Sequence, residues 1–450
     1  MRITIFGAGY VGLVTAACLS DMGNDILCVD KDHAKISDLS NGKVQIYEQG
    51  LSSLVNKNLN KNLQFTSDEA AAINFSSVFF VCVNTPTKTT GHSDISNVVN
   101  VVQTIVNYAK DDKIIVMKST VPVGTSDLLK QIANTAQPRS KISIVSNPEF
   151  LQEGHAIDNF YFPNRIILGG DTQDVLSVIK SIFQKSVKNV PVIIETDNAT
   201  AEIIKYACNT FLATKISFIN EMAEICERCR ANIRVISYAM GLDPRIGPDF
   251  LQAGTGFGGS CFPKDIRSFI SVEKSMGIHN SIIEAALLVN EQIIPRLVNK
   301  IEAILNGIAG QKICLLGLTF KSGTNDIRDS QALKLLKRLT SGGAHVKVFD
   351  PQMHSFLPYL RANCPEAAPA DSVYFAVEDC SLVVIMTAWP EFRSIDFLEL
   401  KKRMNSPIIV DPNNVLSGRK EELDYNNIRY IGTAIDASQM VNAYEDINKV

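Results

Sequence analysis

A glycine-rich motif directly after the first apolar run constrains the fold of this chain more than any other feature. The run Arg2–Phe6 has the composition of a β-strand, and Leu13–Asp21 has helical character. Between them lies G-A-G-Y-V-G, with its glycines at Gly7, Gly9 and Gly12. In a dinucleotide-binding fold the first glycine makes the tight turn, the second lets a pyrophosphate approach, and the third packs helix on strand. The motif therefore predicts a Rossmann unit here.

An acidic residue occupies the position at which this fold carries one. The second predicted strand ends in Asp30, 18 positions beyond Gly12. A carboxylate at that point accepts hydrogen bonds from the adenosine ribose hydroxyls and repels a 2′-phosphate, which favours NAD over NADP. A glycine turn that binds no ligand is the alternative, and it treats Asp30 as a coincidence. We expect NAD to bind here.

The hydrophobic period changes twice along the chain. Up to about residue 200, short β-branched runs alternate with amphipathic stretches, and the same alternation returns after Gly307 and Gly310. Such alternation is typical of βαβ units in a largely parallel sheet. Between these parts, long segments of helical period such as Ala201–Ala231 and Ser281–Leu305 predict a helical section.

These changes of period give the predicted architecture. We expect an α/β fold in which two Rossmann-like, doubly wound parallel-sheet domains, residues 1–200 and 306–450, are joined by a central helical domain, residues 201–305. The length of 450 residues fits that number, because about 150 residues per domain is common. The dinucleotide motif is present in the first of the two sheet domains alone.

Composition excludes several classes of protein. Forty-four Lys and Arg against 47 Asp and Glu leave a formal charge of −3, so the basic excess of a nucleic-acid or anionic-membrane binder is absent. No apolar run reaches the length of about 18 residues that a membrane-spanning helix needs. We expect neither nucleic acid nor membrane as a partner.

The ten cysteines are scattered. Cys226 and Cys229 form the one C-x-x-C pair, but they lie in a helical pattern without a second ligand pair, so we expect no metal site. Scattered thiols in a chain of this length favour a reducing compartment, the cytoplasm.

One cysteine lies in a glycine-rich loop, G-T-G-F-G-G-S-C-F-P-K-D, which runs from Gly254 to Asp265. Pro263 is typical of a first helical turn, so Cys261 is expected near a helix N-terminus. The helix dipole and Lys264 would both stabilise a thiolate. Cys261 is therefore the candidate nucleophile, against the alternative of a cysteine buried in a helical core.

Two pairs of polar residues are each spaced four apart. In N-P-E-F-L-Q-E-G, Glu149 and Glu153 share one face if the segment is helical. Paired carboxylates could serve acid–base chemistry or hold a water, and a solvated helix face is the alternative. Lys205 and Asn209 could stabilise a negative oxygen or abstract a proton, and a surface pair is the alternative.

NAD together with a nucleophilic thiol narrows the chemistry. Removal of hydride from an alcohol needs no thiol, but oxidation of an aldehyde to an acid is eased by a thiohemiacetal, which becomes a thioester that water cleaves. A simple two-electron hydroxyacid dehydrogenase would share the first domain and have no use for Cys261.

With these motifs the chain resembles the UDP-glucose/GDP-mannose dehydrogenase family, and within it the UDP-glucose 6-dehydrogenases, over nearly its whole length. The further motifs that carry the resemblance are V-N-T-P-T at Val83–Thr87, K-S-T-V-P-V-G-T at Lys118–Thr125, P-N-R-I at Pro163–Ile166, the stretch Lys205–Asn220 and L-G-L-T-F-K-S-G-T-N-D-I-R-D-S at Leu316–Ser330. The resemblance implies two successive oxidations of the C6 alcohol of UDP-glucose, which consume two NAD⁺ per UDP-glucuronate. It also implies a homodimer through the central helices and a last domain that holds the UDP half of the substrate.

The resemblance further implies a role for individual residues. The implied catalytic residues are Cys261 as nucleophile, Lys205 and Asn209 as base and oxyanion stabilisers, and Thr120, Glu149 and Asp265 around the hydrolytic water. The implied cofactor residues are Gly7, Gly9, Tyr10, Val11, Gly12, Asp30, Lys35, Thr85, Thr120, Glu153, Lys264 and Arg328. The implied substrate residues are Glu149, Phe150, Leu151, Glu153, Lys205, Asn209, Phe250, Leu251, Gly254, Gly258 and Lys321.

Two alternatives stay open at this point. A GDP-mannose or UDP-N-acetylmannosamine 6-dehydrogenase would use the same thiol chemistry on another sugar. A non-catalytic sensor of nucleotide sugars would bind NAD and the sugar nucleotide without turnover, although it would not need Cys261, Lys205 and Asp265.

Overall fold

The computed structural model describes residues 1–136, 140–186, 192–279 and 282–435. They form two compact units. The first unit comprises Met1–Asn209 and Lys264–His279, and the second comprises the described parts of Thr210–Pro263 and Asn280–Val450. The last fifteen residues of the predicted third domain, 436–450, lie outside the described part of the chain.

The first unit is built on an eight-stranded sheet. Its strands are β1 (Arg2–Phe6), β2 (Asp25–Val29), β3 (Leu63–Thr66), β4 (Val78–Val81), β5 (Lys113–Met117), β6 (Ile142–Ser146), β7 (Arg165–Gly169) and β8 (Val192–Thr196). They lie in the order β3-β2-β1-β4-β5-β6-β7-β8, and every neighbouring pair is parallel except β6 and β7. The first six follow the order of a doubly wound dinucleotide-binding sheet, which places a ligand crevice at the carboxyl ends of β1 and β4.

Helices cover both faces of this sheet. They are α1 (Tyr10–Asp21), α2 (His33–Ser40), α3 (Leu51–Asn58), α4 (Glu69–Phe75), α5 (Ser96–Tyr108), α6 (Thr125–Thr135), α7 (Ala156–Tyr161) and α8 (Gln173–Ser186). The neighbours Phe79 and Phe80 on β4 belong to two different hydrophobic clusters, because successive strand residues face opposite sides. Helix α1 is buried from Gly12 to Ser20, which explains its apolar composition on all sides.

The second unit is built on a six-stranded sheet, parallel throughout. Its strands are β9 (Lys312–Leu316), β10 (His345–Phe349), β11 (Ala368–Pro369), β12 (Leu382–Ile385), β13 (Ile408–Asp411) and β14 (Arg429–Gly432), in the order β11-β10-β9-β12-β13-β14. This repeats the order of the first six strands. The crevice that it creates lies at the carboxyl ends of β9 and β12.

The remaining helices divide into two groups. In the middle of the chain lie α9 (Asn198–Cys229), α10 (Ile233–Gly241), α11 (Phe262–Ser275) and α12 (Ile282–Leu305). Around the second sheet lie α13 (Gln331–Ser341), α14 (Met353–Asn363), α15 (Val373–Val377), α16 (Phe397–Arg403) and α17 (Lys420–Tyr425), with 3₁₀ turns at Pro390–Ser394 and Ser417–Arg419.

The predicted fold class is confirmed: two Rossmann-like parallel sheets with a helical region between them in sequence. The periodicity located α9 and α12 within a few residues, and Ser281, which it placed at the start of α12, lies outside the described residues. Within the described ranges no helix combines the length and apolarity needed to cross a bilayer.

Candidate functional site

The glycine turn of the first unit has the geometry that the motif predicts. Gly7 has a φ of +101°, and a Cβ there would lie 2.6 Å from the carbonyl oxygen of Cys82. A Cβ on Gly12 would lie 1.8 Å from the carbonyl oxygen of Gly7, so helix and strand approach too closely for any side chain. A Cβ on Gly9 would meet nothing nearer than Asn84 Oδ1 at 3.9 Å. The space above Gly9 is the open side of the turn, which fits an approaching pyrophosphate.

Asp30 follows β2 and is fixed by three donors. Its Oδ2 accepts from the amide of Ala8 at 2.9 Å and from Nζ of Lys35 at 3.0 Å, and its Oδ1 accepts from the amide of Asp32 at 3.0 Å. Burial alone would raise the pKa of Asp30, but the two backbone donors and Lys35 together lower it. The carboxylate is therefore ionised at neutral pH and suited to accept hydrogen bonds from ribose hydroxyls. Lys35, also predicted as a cofactor residue, contacts it directly.

Tyr10 lies in the first turn of α1 and donates its hydroxyl hydrogen bond to Glu48. Glu48 also accepts from the amides of Gly154 at 2.6 Å and Ala156 at 2.8 Å. Burial, aided by Glu48 and Glu153, raises the pKa of the Tyr10 phenol well above its usual range. Tyr10 therefore stays protonated and joins the glycine turn to the loop that carries Glu153.

A buried ion pair lies beyond β6. Nζ of Lys205 lies 3.0 Å from Oε1 of Glu149, and both side chains are less than a tenth exposed. Burial would raise the pKa of Glu149, but the charge and hydrogen bond of Lys205 outweigh it, so the pKa is lowered and the carboxylate stays ionised. Residues 147–152 form a loop, so Glu149 and Glu153 do not share a helix face. Phe150, in the same loop, has the guanidinium of Arg165 4.1 Å above its ring.

A second polar group lies one turn further along α9. Nδ2 of Asn209 donates to Oδ2 of Asp265 at 2.7 Å, and Nζ of Lys264 lies 2.5 Å from Oδ1 of the same carboxylate. Asp265 is 1% exposed. The sequence led us to expect that Lys264 would stabilise a thiolate, whereas here its ammonium pairs with Asp265. Lys205 and Asn209, for which a surface position was the alternative, are both buried.

Thr120 contacts another predicted cofactor residue and shares a small cavity with Lys205. Its carbonyl oxygen accepts from Oγ1 of Thr85 at 2.8 Å, so two predicted cofactor residues are in contact. Thr120 also lines a small cavity of about 10 Å³ together with Lys205 and Glu202. That volume is close to what one water molecule needs, and the walls supply polar partners for it.

The second unit contains the cysteine loop as far as Pro263. Helix α11 begins at Phe262, directly after Cys261, so the predicted helix start with Pro263 in its first turn is confirmed. The Cys261 thiol is half-buried and lies 3.7 Å from Oγ of Ser260, whereas seven of the ten cysteines are buried. A Cβ on Gly258 would lie 2.6 Å from the carbonyl oxygen of Asp329. Close backbone contact with the segment after β9 thus shapes this loop.

Two of the predicted residues show less expected features. Phe250 has a φ of +64°, in the left-handed region that a bulky side chain rarely occupies, and its ring packs 6.2 Å from that of Phe262. Arg328, predicted as a cofactor residue, belongs to the second unit, where its guanidinium binds Asp326 at 2.6–2.9 Å.

A cavity of about 710 Å³ opens at the carboxyl ends of β9, β12 and β13. Three cationic side chains, those of Arg234, Lys321 and Arg393, line it, and its described lining contains no Asp or Glu. The whole chain carries a formal charge of −3, so this cavity differs sharply from the average surface. A concave site with cations, amides and hydroxyls but no carboxylate fits an anionic ligand such as a nucleoside diphosphate.

The cavity wall is held by side-chain amides. Oδ1 of Asn413 accepts from the amide of Thr255 at 3.1 Å, and its Nδ2 donates to the carbonyl oxygen of Met386 at 2.9 Å. The amide of Gly254 donates to Oδ1 of Asn220 at 2.9 Å. Leu251 is buried and also lines the cavity. The structure therefore places four predicted substrate residues, Phe250, Leu251, Gly254 and Lys321, in or beside one cavity.

Comparison with known proteins identifies the family. Three sequence models of the UDP-glucose/GDP-mannose dehydrogenase family match in order: its NAD binding domain at residues 1–187, its central domain at 199–292 and its UDP binding domain at 314–418. The chain is 41% identical to the UDP-glucose 6-dehydrogenase TuaD of Bacillus subtilis over 92% of this chain and 90% of that protein. It is 40% identical to a UDP-glucose 6-dehydrogenase of Rhizobium meliloti over 96% and 98%.

The chain belongs to the UDP-glucose/GDP-mannose dehydrogenase family. A solved UDP-glucose dehydrogenase from the archaeon Pyrobaculum islandicum has the same fold, with a TM-score of 0.89 at 31% identity over 96% of this chain and 98% of that one. The family's NAD binding domain contains the glycine turn and Asp30, whose geometry fits the dinucleotide, so the cofactor is NAD. Its UDP binding domain contains Lys321 and Arg393 of the cationic cavity.

The predicted site residues divide between the units. Those in the first unit are Gly7, Gly9, Tyr10, Val11, Gly12, Asp30, Lys35, Thr85, Thr120, Glu149, Phe150, Leu151, Glu153, Lys205, Asn209, Lys264 and Asp265. Those in the second unit are Phe250, Leu251, Gly254, Gly258, Cys261, Lys321 and Arg328.

Several residues of the cavity were not found from the sequence. Arg234 is the second residue of α10, Tyr238 lies one turn later, Arg393 lies in a 3₁₀ turn, and Asn413 follows β13. None belongs to a motif with a known spacing. One signal was available: parallel strands end at one edge of a sheet, so residues directly after β9, β12 and β13 meet there.

Proposed function

We propose that this chain oxidises the C6 alcohol of UDP-glucose to the carboxylate of UDP-glucuronate and reduces two NAD⁺. The observation that carries the proposal is the presence, in one chain, of an NAD binding domain and a half-exposed thiol, Cys261, directly before a helix. A thiol has no use in a single oxidation of an alcohol, but it allows an aldehyde to be oxidised to an acid. The names of the relatives support UDP-glucose as substrate.

In the first oxidation Lys205, having lost its own proton, takes the proton of the C6 hydroxyl, and Nδ2 of Asn209 stabilises the oxygen. Glu149 fixes the Lys205 ammonium and Asp265 fixes the Asn209 amide, both through buried contacts. Such prior fixing lowers the cost of reaching the transition state. NAD, when bound, accepts a hydride from C6 in each of the two oxidations.

In the second stage Sγ of Cys261 bonds to C6 of the aldehyde, and its proton passes to the carbonyl oxygen to give a thiohemiacetal. Loss of a hydride and a proton leaves a thioester. Water then bonds to C6, the C–S bond breaks, and the thiolate of Cys261 leaves. We assign Thr120, Glu149 and Asp265 to hold or deprotonate that water. In balance, one water is consumed, two hydrides are transferred and three protons are released.

The cofactor and the nucleotide half of the substrate have separate proposed sites. The proposed NAD residues are Gly7 to Gly12, Asp30, Lys35, Thr85, Thr120, Glu153 and Lys264, and the family resemblance adds Arg328. The diphosphate of the substrate is proposed to meet Arg234, Lys321 and Arg393, whose cavity has no opposing carboxylate among the described lining residues. Charge-assisted hydrogen bonds from these cations are stronger than neutral ones and would stabilise the bound diphosphate.

The stoichiometry of NADH is the experiment that tests this function. A known amount of UDP-glucose is exhausted with excess NAD⁺, and NADH is measured by absorbance at completion. Two NADH per UDP-glucose are expected. One NADH per sugar would leave the aldehyde as product and refute the second oxidation, and none would favour a sensor that binds without turnover.

A panel of sugar nucleotides decides between the substrates of this family. UDP-glucose, GDP-mannose and UDP-N-acetylmannosamine are offered separately under the same conditions. We expect the highest kcat/KM with UDP-glucose. Activity with GDP-mannose alone would overturn the choice of substrate and leave the thiol mechanism standing.

We propose a homodimer through the central helices. On α9 the exposed Phe211, Phe218 and Ile225 recur every seven residues. Val235 and Tyr238 on α10 and Leu242 directly after it are more than 60% exposed. Apolar stripes at helical spacing on a surface favour association with a second copy. Light scattering coupled to size exclusion tests this, and a monomer at micromolar concentration would contradict it.

The division into three domains, 1–200, 201–305 and 306–450, is a proposal about folding and roles. The first part binds NAD, the middle part carries the nucleophile loop and the dimer helices, and the last part binds UDP. All ten cysteines are free, which supports the reducing cytoplasm as the proposed compartment.

A further inference from the structure

One buried cation of the first unit has no role in the proposed reaction. Lys118 follows β5, and its side chain is 5% exposed. Its Nζ donates to Oδ1 of Asn147 at 3.0 Å and lies 5.6 Å from the ring centre of Phe183. In the described part of the chain no carboxylate lies within 4.0 Å of this ammonium. A buried charge without a counter-ion is costly, so its presence calls for an explanation.

The other two buried lysines of this unit differ from Lys118. Lys113 pairs with Asp111 at 2.6 Å, and Lys205 pairs with Glu149 at 3.0 Å. Lys118 is as buried as either of them, yet its hydrogen-bond acceptor is a neutral amide. Burial by itself therefore does not explain why a lysine, rather than a methionine, occupies position 118.

The contacts of Lys118 lead to the proposed base. Asn147 and Glu149 are two residues apart in the loop after β6, and Nδ2 of Asn147 is itself fixed by the carbonyl oxygen of Ile167 at 2.9 Å. Lys118 holds Asn147, and Lys205 holds Glu149 through both its carbonyl oxygen and its carboxylate. Two ammonium groups thus hold neighbouring residues of the loop that carries Glu149.

The groups that face Lys118 from the surrounding elements are Cys82 after β4, Glu149 after β6 and Lys205 on α9. Burial lowers the pKa of Lys118, Cys82 and Glu149 oppose that change, and Lys205 adds to it. Burial also raises the pKa of the Cys82 thiol to about 12, so this thiol is uncharged at neutral pH. Glu149 is then the one anion of this group, and it is shared between two cations.

We propose that Lys118 is a positioning residue for Lys205. Its ammonium competes with that of Lys205 for the charge of Glu149. The group of these three residues therefore releases a proton at a lower pH than an isolated Glu149–Lys205 pair would. This inference rests on the proposed function, in which Lys205 must lose a proton to act as base. In a coupled group the pH of proton release belongs to all its members, so a change at Lys118 alters it.

The test compares pH profiles of kcat for UDP-glucose oxidation. Lys118→Met keeps the volume and removes the charge, so the acid limb is expected to move to higher pH by one unit or more. Lys118→Arg keeps the charge and should restore the wild-type limb. Lys113→Met removes an equally buried lysine that pairs with Asp111. The acid limb of the pH profile of this variant should stay at the wild-type pH. If the acid limb of the kcat profile of Lys118→Met stayed at the wild-type pH, the inference would be overturned.

A second measurement needs no turnover. Because the pKa of Lys118 is lower in the folded protein than in the unfolded chain, the unfolded chain binds more protons in the interval below the ordinary lysine value of about 10.4. The free energy of unfolding then rises with pH in that interval. Lys118→Met should lose this rise and Lys113→Met should keep it; equal slopes in both variants would count against a lowered pKa of Lys118.

The two measurements separate the inference from the function on which it rests. If the wild type binds NAD but does not oxidise UDP-glucose, the proposed function fails, while the unfolding slopes still report on Lys118. If the wild type is active and Lys118→Met leaves the acid limb in place, the inference alone fails.

Discussion

The ammonium of Lys205 makes two hydrogen bonds to one residue, 2.7 Å to the carbonyl oxygen of Glu149 and 3.0 Å to its Oε1. The other carboxylate oxygen of Glu149 accepts from the amide of Leu151 at 2.6 Å. A single residue thus fixes both the position of this lysine and the charge next to it. The proposed base and the loop that carries Glu149 therefore form one structural element.

Glu149→Gln should separate charge from geometry in this contact. The amide keeps an acceptor for Lys205 but leaves a buried ammonium without its counter-ion, so we expect the free energy of unfolding to fall by about 3 kcal/mol. Because no carboxylate then holds the proton, the acid limb of the kcat profile should move to lower pH, opposite to the shift for Lys118→Met. Chemical denaturation and a pH series measure the two effects. The control is Asp411→Asn, which alters a buried carboxylate in the second unit, and a similar pH shift in that variant would contradict our reasoning.

Cys261→Ser should abolish turnover and spare cofactor binding. An oxygen ester forms slowly and hydrolyses poorly, so we expect kcat to fall on the order of 10³-fold or more, while NADH titrated by fluorescence binds as in the wild type. Cys208→Ser is the matched control, because Cys208 is also half-buried and lies in the first unit. Rates near those of the wild type in Cys261→Ser would remove the covalent step.

Two glycines of one motif should respond differently to alanine. Gly12→Ala places a Cβ 1.8 Å from the carbonyl oxygen of Gly7, so we expect a clear loss of thermal stability. Gly9→Ala meets no atom nearer than 3.9 Å and should fold normally, but its methyl group occupies the open side of the turn and should weaken NAD binding at least tenfold. Differential scanning fluorimetry and NADH titration measure both. Equal melting temperatures, or unchanged affinity in Gly9→Ala, would argue against this geometry.

Arg393→Ala should raise the KM for UDP-glucose. Loss of a charge-assisted hydrogen bond to phosphate costs about 1.5–3 kcal/mol, so we expect a change of roughly 10- to 100-fold with a much smaller change in kcat. Arg361→Ala is the control, because this arginine is exposed in the last turn of α14 and does not line the cavity. If both variants showed the same KM, Arg393 would not be a substrate ligand.

The sequence predicted those parts of the site whose residues lie close together in the chain. The glycine turn, Asp30 and the cysteine loop are local patterns, and each lies where its spacing predicts. Lys118 and Arg393 were missed because their environments come from segments far apart in the chain, such as Asn147 for the first. Sequence alone also left open whether residues 147–152 form a helix. The conformation of this segment depends on the buried contacts of Glu149, which the sequence does not show.

The cationic cavity has a consequence for the kinetics of substrate binding. Three positive side chains are concentrated in one concave surface, while the chain as a whole is slightly negative. Because no carboxylate of the described lining opposes these cations, the concave surface focuses a positive field on an approaching dianionic nucleotide sugar, while the small net negative charge of the chain is spread out and screened. Added salt should accordingly lower the association rate constant of the nucleotide more than it changes the dissociation rate constant.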